Sequence, residues 1–514
     1  MIARFALRLV LAAWTLPVFC LPARAQDSEL RASEVVMPAS MMIPAPDNLK
    51  SLFPGGFTPG LGFGLSCDQG QPGGSMILHT LTGRGPVLPG PMIGDSARPT
   101  PGSTPVPAQS IPPSGSMPVP PAGPASAPPA GDKCALAPSS IFVLPGFNPS
   151  IVTMKLSGGK VEVIGELPLR GKDGQPLLGL PTAPGANGGL PEIPLGLPPA
   201  SQAQTLSPEM PQGLSFTRLG FEENGIDPQG VAFDFKSGLF WLVDGYRPAL
   251  VGISPGDGRV RRMYAPGAGL ESYLATRRPG WGFMDVSISP GGKVYTIMRG
   301  VLAVDGKPAV FSRIIELDPD TERVRQLPYP IDDGTFADPA QVSTAEVAAY
   351  ADKHLLVLEQ GIDKEGHPRS LVYAADLTRT SNINHVHNEA GQPPEVVTDK
   401  IQLQKNIQLA RKTLVLDLQQ AGYREALAES VTLLSDGRTL AIMGGHGFGL
   451  QEKIADFATG PDGKPVLDPR RYLLAPDGTL SMDGQPTKTS FCIWPTRETP
   501  RLWLVTLPKK VFEY

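Results

Sequence analysis

Charged side chains recur at the ends of short apolar runs between residues 225 and 300. The acidic ones are Asp227, Asp244 and Asp285, and the basic ones are Arg247 and Arg278. Carboxyl groups act as general acids, general bases and metal ligands, whereas guanidinium groups hold carboxylate or phosphate by two-point contacts. If the apolar runs are neighbouring strands, these side chains meet at one rim. The pattern therefore predicts a charged site at the rim of a sheet structure.

The apolar runs themselves favour β-strands. Residues 231–233, 240–243 and 250–253 are too short for helices, and they are followed by turns rich in Pro, Asp and Gly. Related turns occur at 157–161, 254–260, 289–294, 318–324, 435–440 and 475–480, and adjacent copies lie about thirty to forty residues apart. We predict an all-β fold, a β-propeller of about six blades. A pair of β-sandwiches is the alternative.

Composition limits the classes of partner. The chain has 514 residues, of which 18% are charged and 41% hydrophobic, so it can bury a large core. Its formal net charge is −4 and it has no long charge runs, which argues against nucleic acid and against an anionic membrane surface as partners.

The N-terminus has the features of a secretory signal. Arg4 and Arg8 precede an apolar run at 9–21, and Ala23-Arg24-Ala25 provides small residues for cleavage before Gln26. We expect a signal peptide at 1–25, a flexible leader at 26–45 and a periplasmic or secreted protein. No later stretch is apolar enough to cross a bilayer, so we expect no transmembrane segment once the signal is removed.

Three cysteines remain after removal of the signal: Cys67, Cys134 and Cys492. In an oxidising compartment they allow at most one intramolecular disulfide, and the sequence leaves all three pairings open. We favour Cys67–Cys134, because both residues flank one insertion.

Two insertions are expected within a propeller domain at 46–514. Residues 87–133 are dominated by Pro, Ala, Ser and Gly, a composition that buries too little apolar surface to offset its ordering entropy, so we predict disorder there. Residues 398–428 carry apolar side chains at spacings that include four residues, which predicts a short helical insertion.

Ser254 is a candidate serine nucleophile, because GISPG at 252–256 matches the pattern G-x-S-x-G. A nucleophile elbow joins a strand to a helix, whereas a strand follows here and Pro255 lacks the N–H of an oxyanion donor. A hairpin turn is the favoured interpretation.

Seven motifs in order resemble the phytase-like proteins with esterase-like activity, from about residue 53 to the end. TGRGP (82–86) resembles "DRGP", DPQG (227–230) resembles "DPEG", and WLVDGYRP (241–248) resembles "WVSDEYRP". RPGWGFMD (278–285) is similar to "R-x-N-x-GFEG", and LVLEQ (356–360) to "LVLER". ES with SDGR (429–430, 435–438) is similar to "EG…DDGR", and GGHGFG (444–449) to "NDNDFG".

The resemblance implies a propeller in which bound calcium holds and polarises phosphate, but acidic positions of the family are neutral here. They are Gly83, Gln229, Gly245 and Met284, and the Asn/Asp cluster is replaced by Gly444, Gly445, His446 and Gly447. Calcium takes about six to eight oxygen ligands, and carboxylates set its affinity. Calcium is therefore the cofactor that the resemblance implies, and the lost carboxylates weaken that expectation; the metal ligands stay unknown.

The resemblance also supplies the candidate residues. The acidic candidates for catalysis are Asp227, Asp244, Glu359 and Glu429, and the candidates for binding a ligand are Arg84, Arg247, Arg278 and His446. The arginines bind an anion in one interpretation and form structural salt bridges in the other. Two functions stay open: a hydrolase of phosphate or other esters with a partly degraded acidic site, and a non-catalytic propeller that binds a small anionic molecule or a cell-envelope protein.

Overall fold

Twenty strands form five four-stranded antiparallel sheets in the described part of the chain. The computed structural model describes residues 29–68, 74–94, 136–183, 192–197, 216–425, 427–445, 447–496 and 498–514. The signal peptide, Cys134, His446 and most of the Pro-rich insertion lie outside these residues. From the innermost strand outwards, the blades are as follows. Blade 1 contains Phe63–Cys67, Met76–Leu81, Ser150–Ser157 and Lys160–Pro168. Blade 2 contains Pro228–Asp234, Leu239–Asp244, Ala249–Ile253 and Val260–Pro266, with Gly269–Leu270 at its edge.

The remaining blades follow the same pattern. Blade 3 contains Phe283–Ile288, Val294–Met298, Phe311–Asp318 and Arg323–Pro330. Blade 4 contains Ser343–Ala351, His354–Ile362, Pro368–Asp376 and Arg411–Asp417. Blade 5 contains Ser430–Leu433, Thr439–Met443, Arg501–Thr506 and, as its outermost strand, Glu29–Val36 from the start of the described chain.

The five sheets form a closed ring. Each innermost strand contacts the innermost strand of the next blade, and that of blade 5 contacts that of blade 1. A separate buried apolar cluster fills each of the five spaces between neighbouring blades. The short apolar runs of the sequence therefore bury side chains on both faces of each blade, as a propeller requires. The all-β propeller is confirmed, and its described strands make one blade fewer than the expected figure of about six.

Smaller sheets lie outside the ring. One contains Val87–Pro89, Ser139–Phe142, Ile193–Gly196 and Thr217–Arg218, and a second contains Met92–Ile93, Leu473–Leu474, Leu480–Met482 and Gln485–Pro486. Two-stranded pairs are Leu450–Ala455 with Ser490–Pro495 and Ala303–Val304 with Lys307–Pro308. All of these sheets except the pair Ala303–Val304 with Lys307–Pro308 contribute to an apolar cluster around Phe57, Ile141 and Phe448. These sheets carry residues that reach the candidate site.

Helical structure is minor. The α-helix Lys400–Leu403 confirms a short helical insertion, and it begins at Asp399, whose side chain accepts hydrogen bonds from the N–H groups of Ile401 and Gln402. Short 3-10 helices are Ala39–Met41, Asp47–Leu49, Ser272–Thr276, Pro339–Gln341, Pro394–Val396, Pro469–Arg471 and Val511–Glu513. The expected helical range of 398–428 is wrong over Arg411–Asp417, which is a strand. No helix among the described residues has the length and apolar character needed to span a bilayer.

Candidate functional site

Backbone hydrogen bonds join blades 2, 3 and 4 where their innermost strands begin. The N–H of Gly282 donates to the carbonyl of Gly245 at 3.2 Å, and the N–H of Arg299 donates to the carbonyl of Gly282 at 2.9 Å. The N–H of Thr344 donates to the carbonyl of Arg299 at 2.7 Å. Asp227 and Glu429 directly precede the innermost strands of blades 2 and 5. The closed ring thus brings residues from separate blades together at one end of its central axis.

Asp244 is held by a closed set of partners. Its Oδ2 accepts a hydrogen bond from Arg247 Nε at 2.9 Å, and its Oδ1 accepts from the N–H groups of Asp227 and Tyr246 at 3.1 and 2.9 Å. Arg247 also donates to the carbonyl of Gly225 at 3.2 Å, and both side chains are buried. Asp244 and Arg247 therefore form a buried ion pair that positions the turn.

Arg84 is paired with a carboxylate that the motifs do not include. Its two terminal nitrogens donate to the two oxygens of Glu192 at 2.8 and 3.1 Å. It also donates to the Tyr246 hydroxyl at 2.7 Å, and its guanidinium lies 5.1 Å from the centre of the Tyr246 ring. Bidentate pairs of this kind fix geometry as well as charge. Arg84 thus fits the salt-bridge interpretation.

Asp227 is a buried carboxyl group close to the arginines. Burial raises its pKa to about 6, Arg84 opposes this rise, and Asp244 and Glu192 add to it. Its Oδ1 accepts a hydrogen bond from Gln229 Nε2 at 2.7 Å and lies 3.9 Å from Arg84 Nε. The side chain keeps 9% of its surface exposed. Asp227 can therefore hold or release a proton near neutral pH within reach of solvent.

Glu429 and Arg299 interact electrostatically at the same end of the ring. Burial raises the pKa of Glu429, while Arg299 acts to lower it. Burial lowers the pKa of Arg299, Glu429 and Asp227 oppose this, and the positive charges of Arg470 and Arg84 add to it. Arg299 and Arg470 form no ion pair within 4.0 Å in the described part of the chain. Arg299 thus interacts electrostatically with two carboxyl groups, those of Glu429 and Asp227, and with two further guanidinium groups.

Arg278 lies beside Arg299 on a tryptophan. The Arg278 guanidinium is 3.9 Å from the centre of the Trp281 ring, and that of Arg299 is 5.6 Å away. Arg278 donates to the side chain of Gln341 at 3.0 Å and to the carbonyl of Ala340. Its bonds tie it to the 3-10 helix of blade 4, so it borders the centre.

Glu359 belongs to a different place. It lies on the second strand of blade 4 and accepts hydrogen bonds from Tyr329 at 2.7 Å, the N–H of Asp332 at 3.0 Å, and Lys412. These partners stabilise the junction of blades 3 and 4. Of the four acidic candidates, Asp227, Asp244 and Glu429 lie at the centre, and Glu359 lies apart from them. His446 lies outside the described residues.

A second acidic pair lies deeper in the ring. Asp285 and Glu346, on the innermost strands of blades 3 and 4, are each 1% exposed, and Asp285 Oδ2 accepts a hydrogen bond from the N–H of Val347 at 3.1 Å. Burial raises the pKa of Asp285 to about 8 and raises that of Glu346. We expected Asp285 at the rim, but it is buried inside the ring. The strand pairing shifts in register at Phe283/Val286 and Thr344/Glu346, and β-bulges of this kind redirect side chains.

Sequence reasoning missed Glu192, Arg299, Arg470, Glu346 and the full burial of Asp285. Glu192 directly precedes a strand of an outer sheet and Arg470 lies in the 3-10 helix Pro469–Arg471, so no spacing along the chain relates them to the centre. The sequence offered a signal for Arg299, because it directly follows the strand Val294–Met298, which comes soon after the RPGWGFMD motif. Ser254 lies in the turn between the third and outermost strands of blade 2, where its N–H donates to the carbonyl of Arg259 at 2.9 Å.

The residues present do not fit a calcium site. Among the described residues, no group of three or more His, Cys, Asp or Glu side chains is placed to hold a metal ion. Both oxygens of Asp244 are already bonded, and Glu359 lies in another place. Calcium needs about six to eight oxygen ligands. The described centre does not offer them.

The family is established by comparison. The family described as "Phytase-like: Esterase-like activity of phytase" matches residues 145–444, which is more than half of the chain. The chain therefore belongs to the phytase-like family. No curated protein matches the sequence.

Solved structures show more distant likeness. An α-L-arabinofuranosidase from Podospora anserina is 9% identical, with 93% of this chain and 97% of that chain covered and a TM-score of 0.31. The periplasmic gluconolactonase of Pseudomonas aeruginosa is 10% identical, with 67% and 80% covered and a TM-score of 0.27. Hydrazine synthase from Kuenenia stuttgartiensis is 13% identical, with 59% and 91% covered and a TM-score of 0.26. These values carry no argument about the activity of this chain.

Proposed function

We propose that the protein is a secreted or periplasmic hydrolase of phosphate or other anionic esters. The ester's negative charge lies between Arg299 and Arg470, and Asp227 moves the proton. Membership of the phytase-like family supports the reaction class. The arginines support an anionic substrate, since guanidinium groups match the geometry of phosphate and carboxylate.

The observation that carries the proposal is the state of the Asp227 carboxyl group. A general acid or base works best when its pKa lies near the working pH, and the pKa of Asp227 is about 6. As a base it accepts a proton from the attacking water, and as an acid it returns one to the leaving oxygen. Arg299 and Arg470 then stabilise the negative charge that develops on the ester.

The test is turnover by the purified mature protein. Phytate, an aryl phosphate and an aryl carboxylic ester are assayed separately, each with calcium and with a chelator. We expect turnover of at least one ester and a loss of about 10²–10⁴-fold in kcat/KM for Asp227→Asn. Asp320→Asn is the matched control, because Asp320 is an exposed aspartate that pairs with Lys236. Equal rates for both variants would remove Asp227 from the reaction.

A second candidate is a non-catalytic propeller that binds an anionic ligand or an envelope protein. The specific observation in its favour is that Asp244, Arg247, Arg84 and Glu359 are all engaged in structural contacts. Binding of phosphate by calorimetry, together with no turnover of any of the three esters, would establish this candidate over the hydrolase.

The proposed location rests on the N-terminal signal at 1–25. Expression of the full chain in a bacterium, followed by fractionation and N-terminal sequencing, should give a periplasmic or secreted protein that starts at Gln26. A cytoplasmic product that retains Met1 would contradict it.

A further inference from the structure

We propose that Arg299 is a built-in cation that takes the place of a bound divalent metal at the centre of the ring. The positive charge that holds an anionic ligand then belongs to the chain itself. The inference rests on the proposed function only for the identity of the anion, and stability and binding measurements test it without turnover.

The first argument is the space beside three glycines where the resembling family has acidic or amide side chains. A Cβ atom at Gly245 would lie 2.7 Å from Asp227 Oδ2, and one at Gly445 would lie 2.1 Å from Glu429 Oε2. One at Gly444 would lie 2.0 Å from Glu425 Oε2. These carboxylates occupy the volume that a metal-binding side chain would need. The acidic centre has been rebuilt around glycine, so it is rearranged as well as reduced.

The second argument is the distribution of charge. Glu192 is neutralised by Arg84 at 2.8 Å, and Asp244 by Arg247 at 2.9 Å. Asp227 has only the 3.9 Å contact with Arg84 Nε, and Arg299 is the cation that acts on Glu429. Carboxylates enclosed in a protein need a nearby positive charge. Arg299 supplies it to Glu429, and Asp227 interacts with both Arg84 and Arg299.

The third argument is the way in which Arg299 is held. Its backbone bonds to Gly282 and Thr344 fix its root between blades 2, 3 and 4. Its guanidinium lies over Trp281, and one terminal nitrogen donates to the carbonyl of Gly280 at 3.3 Å. Its Nε is buried and has no hydrogen-bond partner in the described part of the chain. A buried donor without a partner is costly, and a bound oxyanion would satisfy it.

The experiment measures thermal unfolding and ligand binding for the mature protein. For the wild type, we expect no change in unfolding temperature with calcium and an increase with inorganic phosphate. In Arg299→Gln, Glu429 loses the cation that acts on it while Asp227 keeps Arg84, so phosphate should raise the unfolding temperature less than in the wild type. Phosphate affinity should fall at least about tenfold, the effect of one lost charged contact.

Matched variants decide the interpretation. Arg299→Lys keeps the charge and should stay insensitive to calcium, and Arg261→Gln, an exposed arginine paired with Asp257, should behave as the wild type. If Arg299→Gln does not fold, Glu429→Gln provides the second test, since removing a negative charge should strengthen phosphate binding. A calcium-induced rise in the wild type, or unchanged phosphate affinity in these variants, would overturn the inference.

The outcomes separate this inference from the proposed function. Phosphate binding that depends on Arg299 without turnover of any ester would leave the built-in cation in place and reject the hydrolase. Turnover that requires calcium would keep the hydrolase and reject the built-in cation.

Discussion

Asp227 and Asp244 show how neighbours decide the role of one residue type. Asp244 ends one strand, Asp227 directly precedes the strand paired with it, and both are buried. Asp244 accepts three hydrogen bonds, one of them from Arg247, so it is a structural anion. Burial raises the pKa of both groups, and that of Asp227, whose close side-chain partner is Gln229, is raised to about 6. The difference makes Asp227 the group able to exchange a proton.

The pH dependence of kcat/KM should report this group. If Asp227 is the base in the free enzyme, the rate rises with pH through about 6, because the carboxylate form is the active one. Asp227→Asn should remove that acidic limb as well as lower the rate, whereas Asp320→Asn should retain it. An unchanged limb in Asp227→Asn would assign it to another group.

Asp285 and Glu346 form a buried pair whose charge opposes folding. Their folded pKa values are raised above the unfolded range near 4, so the folded state binds protons more tightly there. By linkage, their contribution to stability is fully present below pH 4 and is lost as the pH rises towards about 8, the pKa of Asp285.

Glu346→Gln should therefore flatten the stability profile. The free energy of unfolding, from urea titrations between pH 5 and 8, should fall with pH less steeply than in the wild type, by up to about 1.4 kcal/mol per pH unit. Glu365→Gln, at an exposed glutamate, is the control and should follow the wild type. Parallel profiles for the wild type and Glu346→Gln would contradict the raised pKa of Glu346.

At the scale of elements, the strand Glu29–Val36 closes the ring. It pairs antiparallel with Arg501–Thr506 in blade 5, and Val35 and Val36 also pair with Val161 and Glu162 at the edge of blade 1. Glu29–Val36 thus joins the last blade to the first, and the expectation of a flexible leader at 26–45 is wrong over this strand. Closure of this kind removes a sheet edge that would otherwise be open to other chains.

Adjacent valines on this strand allow a matched comparison. Val35 is 6% exposed and packs between blades 1 and 5, whereas Val36 is 48% exposed. Val35→Ser should lower the free energy of unfolding by about 1.5–3 kcal/mol, because it removes buried apolar area and buries a hydroxyl. Val36→Ser should change it by less than about 0.5 kcal/mol. Equal effects in urea unfolding would show that the strand does not close the ring in solution.

At the scale of the molecule, the Pro-rich insertion begins and ends at neighbouring points. Ile93 and Ala137 exchange two backbone hydrogen bonds, of 2.8 and 2.9 Å, so the ends of residues 94–136 already meet. A long loop costs little more to close than a short one. The ring therefore does not need the insertion for its own geometry.

Replacing residues 95–135 by a short Gly-Ser turn should leave the unfolding temperature within about 2 °C of the wild type. The shorter loop changes the free energy of unfolding by less than about 1 kcal/mol. A second version that retains 131–135 keeps Cys134. Cys67 is a free thiol in the structure, so the Cys67–Cys134 disulfide stays a prediction, and a loss of stability found only without Cys134 would show that this cysteine supports the fold. A large loss in both versions would show that the insertion packs on the ring.

The turns rich in Pro, Asp and Gly explain why the all-β fold was predicted correctly and why about six blades were expected. The turns at 289–294 and 318–324 lie in the same blade, and the turn at 475–480 lies in an outer sheet. Pro, Asp and Gly specify a reversal of the chain but not which two strands it joins. In the same way, the apolar spacing over 411–417 was compatible with a helix, and pairing with Pro368–Asp376 made it a strand.

By itself, the sequence determined the all-β class, the family and the first members of the site, because local patterns and ordered motifs encode them. Only the tertiary structure decided that Arg299 interacts electrostatically with Asp227 and Glu429 while Glu359 lies apart, and that Glu192 and Arg470 approach from segments outside the ring. The reason is physical: a pKa, an ion pair or the space beside a glycine depends on groups that are distant in the chain, and ring closure brings them together.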